Sequence, residues 1–193
     1  RLDGVLHCAA EFRGLTPLEH IDPAAFARAI HVNLTAPWWL LQACLPLLRQ
    51  SADASVVLAV DDPARVGQAY WGGYGIAQHG LRAMVGMLAN ELAATTVRVA
   101  GLQPGPMRTP LRARAYADDL GEDLRDPEAY AGACVTLLSP AGADWRGQVW
   151  DAAESNSVLP VFCSSMHLIW AESLSAAFTM GVTSGSSSSI KCS

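Results

Sequence analysis

Four short apolar runs punctuate this chain, and the stretches between them carry apolar residues at helical spacing. The first run, Val5-Leu6-His7-Cys8-Ala9-Ala10 behind Asp3-Gly4, is bounded by turn formers and predicts a strand buried on both faces of a parallel sheet. Asp22 before Pro23 is an N-cap and first-turn pair, after which Phe26, Ile30, Leu34, Trp38, Leu41, Leu45 and Leu48 recur every three or four residues. Pro37 and Pro46 are expected to bend or divide that helix. A second strand is predicted over 55–60, and it stops at Asp61-Asp62-Pro63. A second helix, from about Tyr70 to Ala94, shows Leu81, Val85, Leu88 and Leu92 as its apolar stripe. The third strand, 97–102, closes on Gln103-Pro104-Gly105-Pro106, a strong loop signal. A looser stretch with Pro110, Arg112, Arg114 and Tyr116 precedes a helix capped by Asp126-Pro127 and running to Leu138, and 147–151 offers a short fourth strand.

Strands alternating with helix-length connections predict the α/β class, a Rossmann-like doubly wound parallel sheet. The chain opens on Arg1-Leu2-Asp3-Gly4, without methionine, charged leader or cleavage site, so the fold is expected to be N-terminally truncated and to lack a secretory signal. Residues 1–154 are assigned to this domain. Residues 155–193 change character, from apolar sequence without a period to a Gly/Ser run, and are expected to form an atypical tail outside the sheet, poorly ordered or an added helix. Ser164, Ser165, His167 and Glu172 interrupt it too often for a membrane helix.

Composition narrows the function classes. Hydrophobic residues make up 51% and charged residues 16%, the balance of a packed globular chain. The net charge of -5 and the scattered Lys and Arg give no footprint for nucleic acid. Cys8, Cys44, Cys134, Cys163 and Cys192 are widely spaced, without a CxxC pair, and read as free thiols of a reducing cytoplasm. Asp61-Asp62 invites a metal reading, but no third ligand stands at a fitting spacing, so no metal is expected and a solvated turn is the plainer assignment.

Five landmarks, in order, resemble the short-chain dehydrogenase/reductase family, and in particular its bacterial cytosolic members. Val5 to Ala10 is similar to the family's Asn-Asn-Ala-Gly strand end, with Cys8 in place of an asparagine and Ala10 in place of a glycine. His31-Val32-Asn33-Leu34-Thr35 resembles the helix segment whose asparagine serves the active site. Asp61, after strand 55–60, stands at the position of the catalytic serine, thirteen residues before Tyr74. Tyr74-Gly75-Ile76-Ala77-Gln78 lies at the Tyr-x-x-x-Lys signature, and 104–109 is similar to the Pro-Gly loop that ends in threonine.

The resemblance implies an oxidoreductase that moves hydride between NAD or NADP and a carbonyl or secondary alcohol, with Tyr74 as acid/base and Asn33 in support. A phenol titrates near pH 10 unaided, so the family's lysine, one turn along the same helix face, lowers it by placing a cation nearby. Here Gln78 brings no charge, and an ionised Asp61 would raise the Tyr74 pKa. Arg65 and Arg82 are the nearest cations in sequence and neither is expected to replace the lysine; His79 points about 100° around the helix from Gln78. The resemblance also implies cofactor contacts from Ala9, Ala10, Pro104, Gly105 and Thr109 at the nicotinamide end, while the Gly-rich turn for the pyrophosphate would precede Arg1. Activity is therefore expected to be impaired or absent in this chain. Homo-oligomers through the long helices, with Trp38, Trp39 and Trp71 packed on helix faces, are the family's implied association; a non-catalytic homologue or a non-functional product is the alternative.

Overall fold

The computed structural model describes residues 1–116, 124–153 and the strand Thr179–Gly181. Four parallel strands, β1 (Gly4–His7), β2 (Ala54–Ala59), β3 (Val97–Gln103) and β4 (Val149–Asp151), lie in the order β4-β3-β2-β1, and β5 (Thr179–Gly181) adds antiparallel to the outer edge of β1. The register sets His7 opposite Leu58 and Ala59 opposite Leu102, so the C-terminal ends of β1, β2 and β3 open onto one edge. In a doubly wound sheet that edge is where ligands bind.

Helices cover both faces, which is why the strand sequences are continuously apolar. Val5, Val56, Leu58 and Val99 pack with Leu41, Leu81, Val85 and Leu92 on one side. Leu6, Val57, Ala100 and Leu102 pack with Leu137 and Trp150 on the other. Buried Ser55 interrupts this pattern without cost because its hydroxyl donates to the Leu137 carbonyl at 2.8 Å.

The first helical region divides, but ahead of its prolines and not at them. α1 (Pro23–Ile30) begins at Asp22, whose carboxylate accepts from the Ala25 N–H at 2.9 Å. A π-helical turn, His31–Thr35, leads into α2 (Ala36–Leu48). Pro37 is the second residue of α2, directly behind the π-helical turn, and Pro46 is carried within the last turn.

Two short helices escape the sequence pattern: α3 (Pro63–Val66), capped by Asp62, and α5 (Pro110–Ala115), capped by Thr109. α4 (Gly72–Glu91) starts later than Tyr70 because Tyr70 holds a left-handed backbone, φ 78°. α6 (Ala131–Leu138) follows a 3₁₀ turn at Pro127–Tyr130.

Trp71 is buried, while Trp38 and Trp39 are 45% and 51% exposed and, among the described residues, lie outside the hydrophobic clusters. The tail was expected outside the sheet; β5 corrects this for three residues, and the remainder of that expectation lies outside the described residues. Among the described residues no helix is long and apolar enough to cross a membrane.

Candidate active site

Tyr74, Asp61 and Gln78 meet at the C-terminal end of β2. β2 ends just before Asp61, while α4 begins just before Tyr74, so the two side chains converge from strand and helix. The Tyr74 hydroxyl donates to Asp61 Oδ2 at 2.9 Å. One turn along α4, Gln78 Oε1 accepts from the Asp61 backbone N–H at 3.0 Å, which spends the amide on holding the turn. Tyr74 is 5% exposed, enclosed by Phe12 at 5.3 Å and Trp71 at 5.8 Å between ring centroids. Burial first, then the Asp61 charge and the bond to its carboxylate, push the phenol well above its ordinary pKa; Arg65 opposes them.

The expectation that no neighbouring cation enters the site is corrected at Arg65. Asp62 accepts from the Ala64 N–H at 2.9 Å and starts α3 at once, so Arg65 comes back over Asp61 one turn later and its guanidinium binds Asp61 Oδ1. Asp61 also accepts from the Asp62 N–H at 2.8 Å. The two carboxylates are thus occupied by backbone amides and a guanidinium, and the solvated-turn reading gives way to a partly buried, paired Asp61. Arg82 remains apart: it donates to Gln103 Oε1 at the end of β3, at 2.9 Å. His79 is exposed and its Nδ1 lies 2.8 Å from the Gly75 carbonyl.

Asn33 stands in the π-helical turn, buried, and binds the loop after β1. Its Oδ1 accepts from the Glu11 N–H at 2.8 Å, and its Nδ2 donates to the carbonyls of Glu11 and Ala29 at 2.9 and 2.8 Å. This holds the segment whose next residue, Phe12, lies against the Tyr74 ring. Asn33 thereby touches the site through the loop.

Four of the five residues expected to contact the cofactor follow strands at this sheet edge. Ala9 and Ala10 follow β1, and Pro104 and Gly105 follow β3. A Cβ at Gly105 would stand 2.4 Å from the Tyr130 hydroxyl, which itself donates to the Pro106 carbonyl at 3.2 Å. Glycine is what lets this loop close on Tyr130. Thr109 Oγ1 accepts from the Arg112 N–H at 3.2 Å, the cap of α5. Cys8, where the family has an asparagine, stays a thiol: desolvation first, then Cys134, push it up to about 12. A cleft of about 90 Å³ opens beside Tyr74, between Phe12, Phe26 and Trp71, away from Asp61 and Gln78.

Phe12, Trp71 and Arg65 are the site residues that sequence reading missed. For Arg65 the available signal was the Asp61–Arg65 spacing of four behind a Pro-initiated turn.

Residues 1–152 match the family described as enoyl-(acyl carrier protein) reductase. The uncharacterized oxidoreductase YciK of Escherichia coli K12 is 32% identical over 152 residues, 79% of this chain and 60% of that protein. A short-chain dehydrogenase structure from Salmonella enterica serovar Typhi is 32% identical with a TM-score of 0.74, covering 78% of this chain and 62% of that one. A Shigella flexneri 2a structure complexed with NADP is 31% identical with a TM-score of 0.74, covering 79% and 64%. The chain thus spans about three-fifths of the length of these relatives. Sheet order, site position and these likenesses agree, and the chain belongs to the short-chain dehydrogenase/reductase family.

Proposed function

We propose that this chain is the catalytic part of an NAD(P)-dependent oxidoreductase acting on a carbonyl or secondary alcohol in the cytoplasm, and that its acid/base step is weak or absent. The observation that carries the second half is the bond from the Tyr74 hydroxyl to the Asp61 carboxylate. A phenol whose proton is held by a neighbouring carboxylate, and whose helix neighbour at Gln78 brings no charge, is a poor proton donor to a substrate oxygen.

The residues at the strand ends fit a flat nicotinamide ring. Ala9 and Ala10 offer only methyl groups, and Gly105 offers no side chain at a closely packed turn. These residues with Pro104 and Thr109 would hold that end of NAD or NADP, and the bound dinucleotide would supply hydride. Asn33 keeps the Phe12 segment in place, and Phe12 and Trp71 exclude water from the phenol.

Titrating NADPH with the purified chain and following nicotinamide fluorescence is the direct test. Weak, saturable enhancement is expected from contacts at the nicotinamide end by Ala9, Ala10, Pro104, Gly105 and Thr109. No enhancement at cofactor on the order of 1 mM, a binding free energy of about 4 kcal/mol, would sink the oxidoreductase reading for this chain.

A non-catalytic homologue that works by association is the second reading, favoured by Trp38, Trp39, Ile76 and Met87, all 45% exposed or more on α2 and α4. The occupant proposed for that face is a second copy of the chain, because apolar surface of this kind marks an interface. Trp39→Glu is then expected to shift sedimentation velocity from dimer to monomer. An unchanged sedimentation coefficient would remove these helices as the interface.

A further inference from the structure

Two groups share the carboxylate of Asp61. The Tyr74 hydroxyl donates to Oδ2 at 2.9 Å, and the Arg65 guanidinium binds Oδ1 from α3. The carboxylate has little freedom to turn away. Its own backbone N–H is held by Gln78, and Oδ1 also accepts from the Asp62 N–H. Side-chain exposure is 13% for Asp61 and 25% for Arg65, so solvent screens these charges only in part.

We infer that Arg65 is a positioning residue for Tyr74: it places at the phenol the cation that α4 lacks at Gln78, and Asp61, seated between them, masks it. The inference rests on reading Tyr74 as the acid/base position. With the carboxylate in place, the charge adjoining the hydroxyl is negative and the phenol keeps its proton. With that charge removed, the guanidinium faces the phenol across a neutral side chain and favours the tyrosinate. The opposing directions in which Asp61 and Arg65 move the phenol agree with this arrangement.

Among the described residues, the other ionisable groups near this cluster have partners of their own, Asp62 as the cap of α3. Glu11, on the segment packed against the ring, pairs with Arg13 and Arg28. On the α5 side, Arg114 donates to the Phe12 carbonyl and Arg112 stacks on Tyr116, 4.6 Å from the ring centroid. On α4 itself His79 is turned to the Gly75 carbonyl.

The test is a pH titration of the full chain labelled at the tyrosine ring Cζ, followed by NMR, with Tyr74→Phe assigning one signal among the four tyrosines. In the unaltered chain Tyr74 should titrate above the ordinary phenol range. Asp61→Asn, which keeps the shape and the acceptor, should bring its midpoint down by about 1–3 pH units, through the loss of the Asp61 charge together with the guanidinium it no longer masks. Adding Arg65→Met should move the midpoint back up from its value in Asp61→Asn alone, by the share the guanidinium contributes, whereas adding Arg65→Lys should leave it in place, a distinction that a merely structural Arg65 would not produce. Should Asp61→Asn fail to fold, Asp61→Ser gives the same comparison. No drop in either Asp61 variant, or a midpoint that adding Arg65→Met leaves unchanged, overturns the inference. The readout requires neither cofactor nor substrate, so failed NADPH binding would remove the oxidoreductase reading and leave this one standing.

Discussion

Asp61→Ser combined with Gln78→Lys, in a version of the protein extended to its relatives' full length, is expected to raise kcat with NADPH and a panel of small ketones by about 10²–10⁴-fold, the usual worth of positioned acid/base catalysis. The serine removes the carboxylate that holds the Tyr74 proton and restores a hydroxyl to face a substrate oxygen. The lysine places an ammonium one turn from the phenol on the same helix face. Each unit by which the phenol falls is about 1.4 kcal/mol of easier ionisation. Because neither change touches the Pro104–Thr109 loop, KM for NADPH should move little while kcat rises, the pattern of a group that acts in the transition state. The pH profile should gain a limb in the neutral to mildly alkaline range as Tyr74 begins to titrate there. Gln78→Lys alone should do little. The amide of Gln78 lies alongside the Asp61 backbone, so a lysine there would meet the carboxylate before it met the phenol. A double variant that binds NADPH and remains inert would show that the missing charge is not what silences the site.

The parts of this fold written in contiguous sequence were legible from it. A strand buried on both faces has to be apolar along its length, so β1, β2 and β3 stand out as runs, and their parallel order follows from the long connections between them. Asp22 declared the start of α1 because a cap is a local device. The π-helical turn at His31–Thr35 was not legible, since an extra residue in a helix leaves the apolar spacing almost unchanged. α3 and α5 were missed because helices of four and six residues are too short for a period to emerge.

The site divides in the same way. Tyr74, Asp61 and Gln78 could be placed because their family spacing fixes them on one strand end and one helix face. Arg65, although among the nearest cations in sequence and four residues from Asp61, was not expected to enter the site, because its approach depends on α3 starting at Pro63 and turning it back onto Asp61. Trp38 and Trp39 were read as packed on helix faces for the family's implied association, and only packing tells a face turned inward from one turned out: both are exposed on α2.

The packing of α3 against α4 that delivers Arg65 rests on one missing side chain, and Gly75→Ala is expected to destabilise the protein by about 1–3 kcal/mol or more, as overpacking does. A Cβ at Gly75 would lie 2.2 Å from the Val66 carbonyl oxygen and 3.1 Å from Trp71 Cβ. The obstruction is backbone, unlike the Tyr130 hydroxyl above Gly105, so no side-chain rotation relieves it. α3 would have to move off α4, and Arg65 would move with it, one residue before the contact. Urea unfolding should therefore show a lower midpoint at an unchanged slope, and the Tyr74 titration should change in the same variant. Gly86→Ala is the internal control on the same helix: a Cβ there meets nothing within 4 Å, and replacing a mid-helix glycine in open space should stabilise by about 0.5–1 kcal/mol. If Gly75→Ala proves as stable as the parent while Gly86→Ala behaves as stated, α3 does not sit on Gly75, and the route by which Arg65 reaches Asp61 is lost with it.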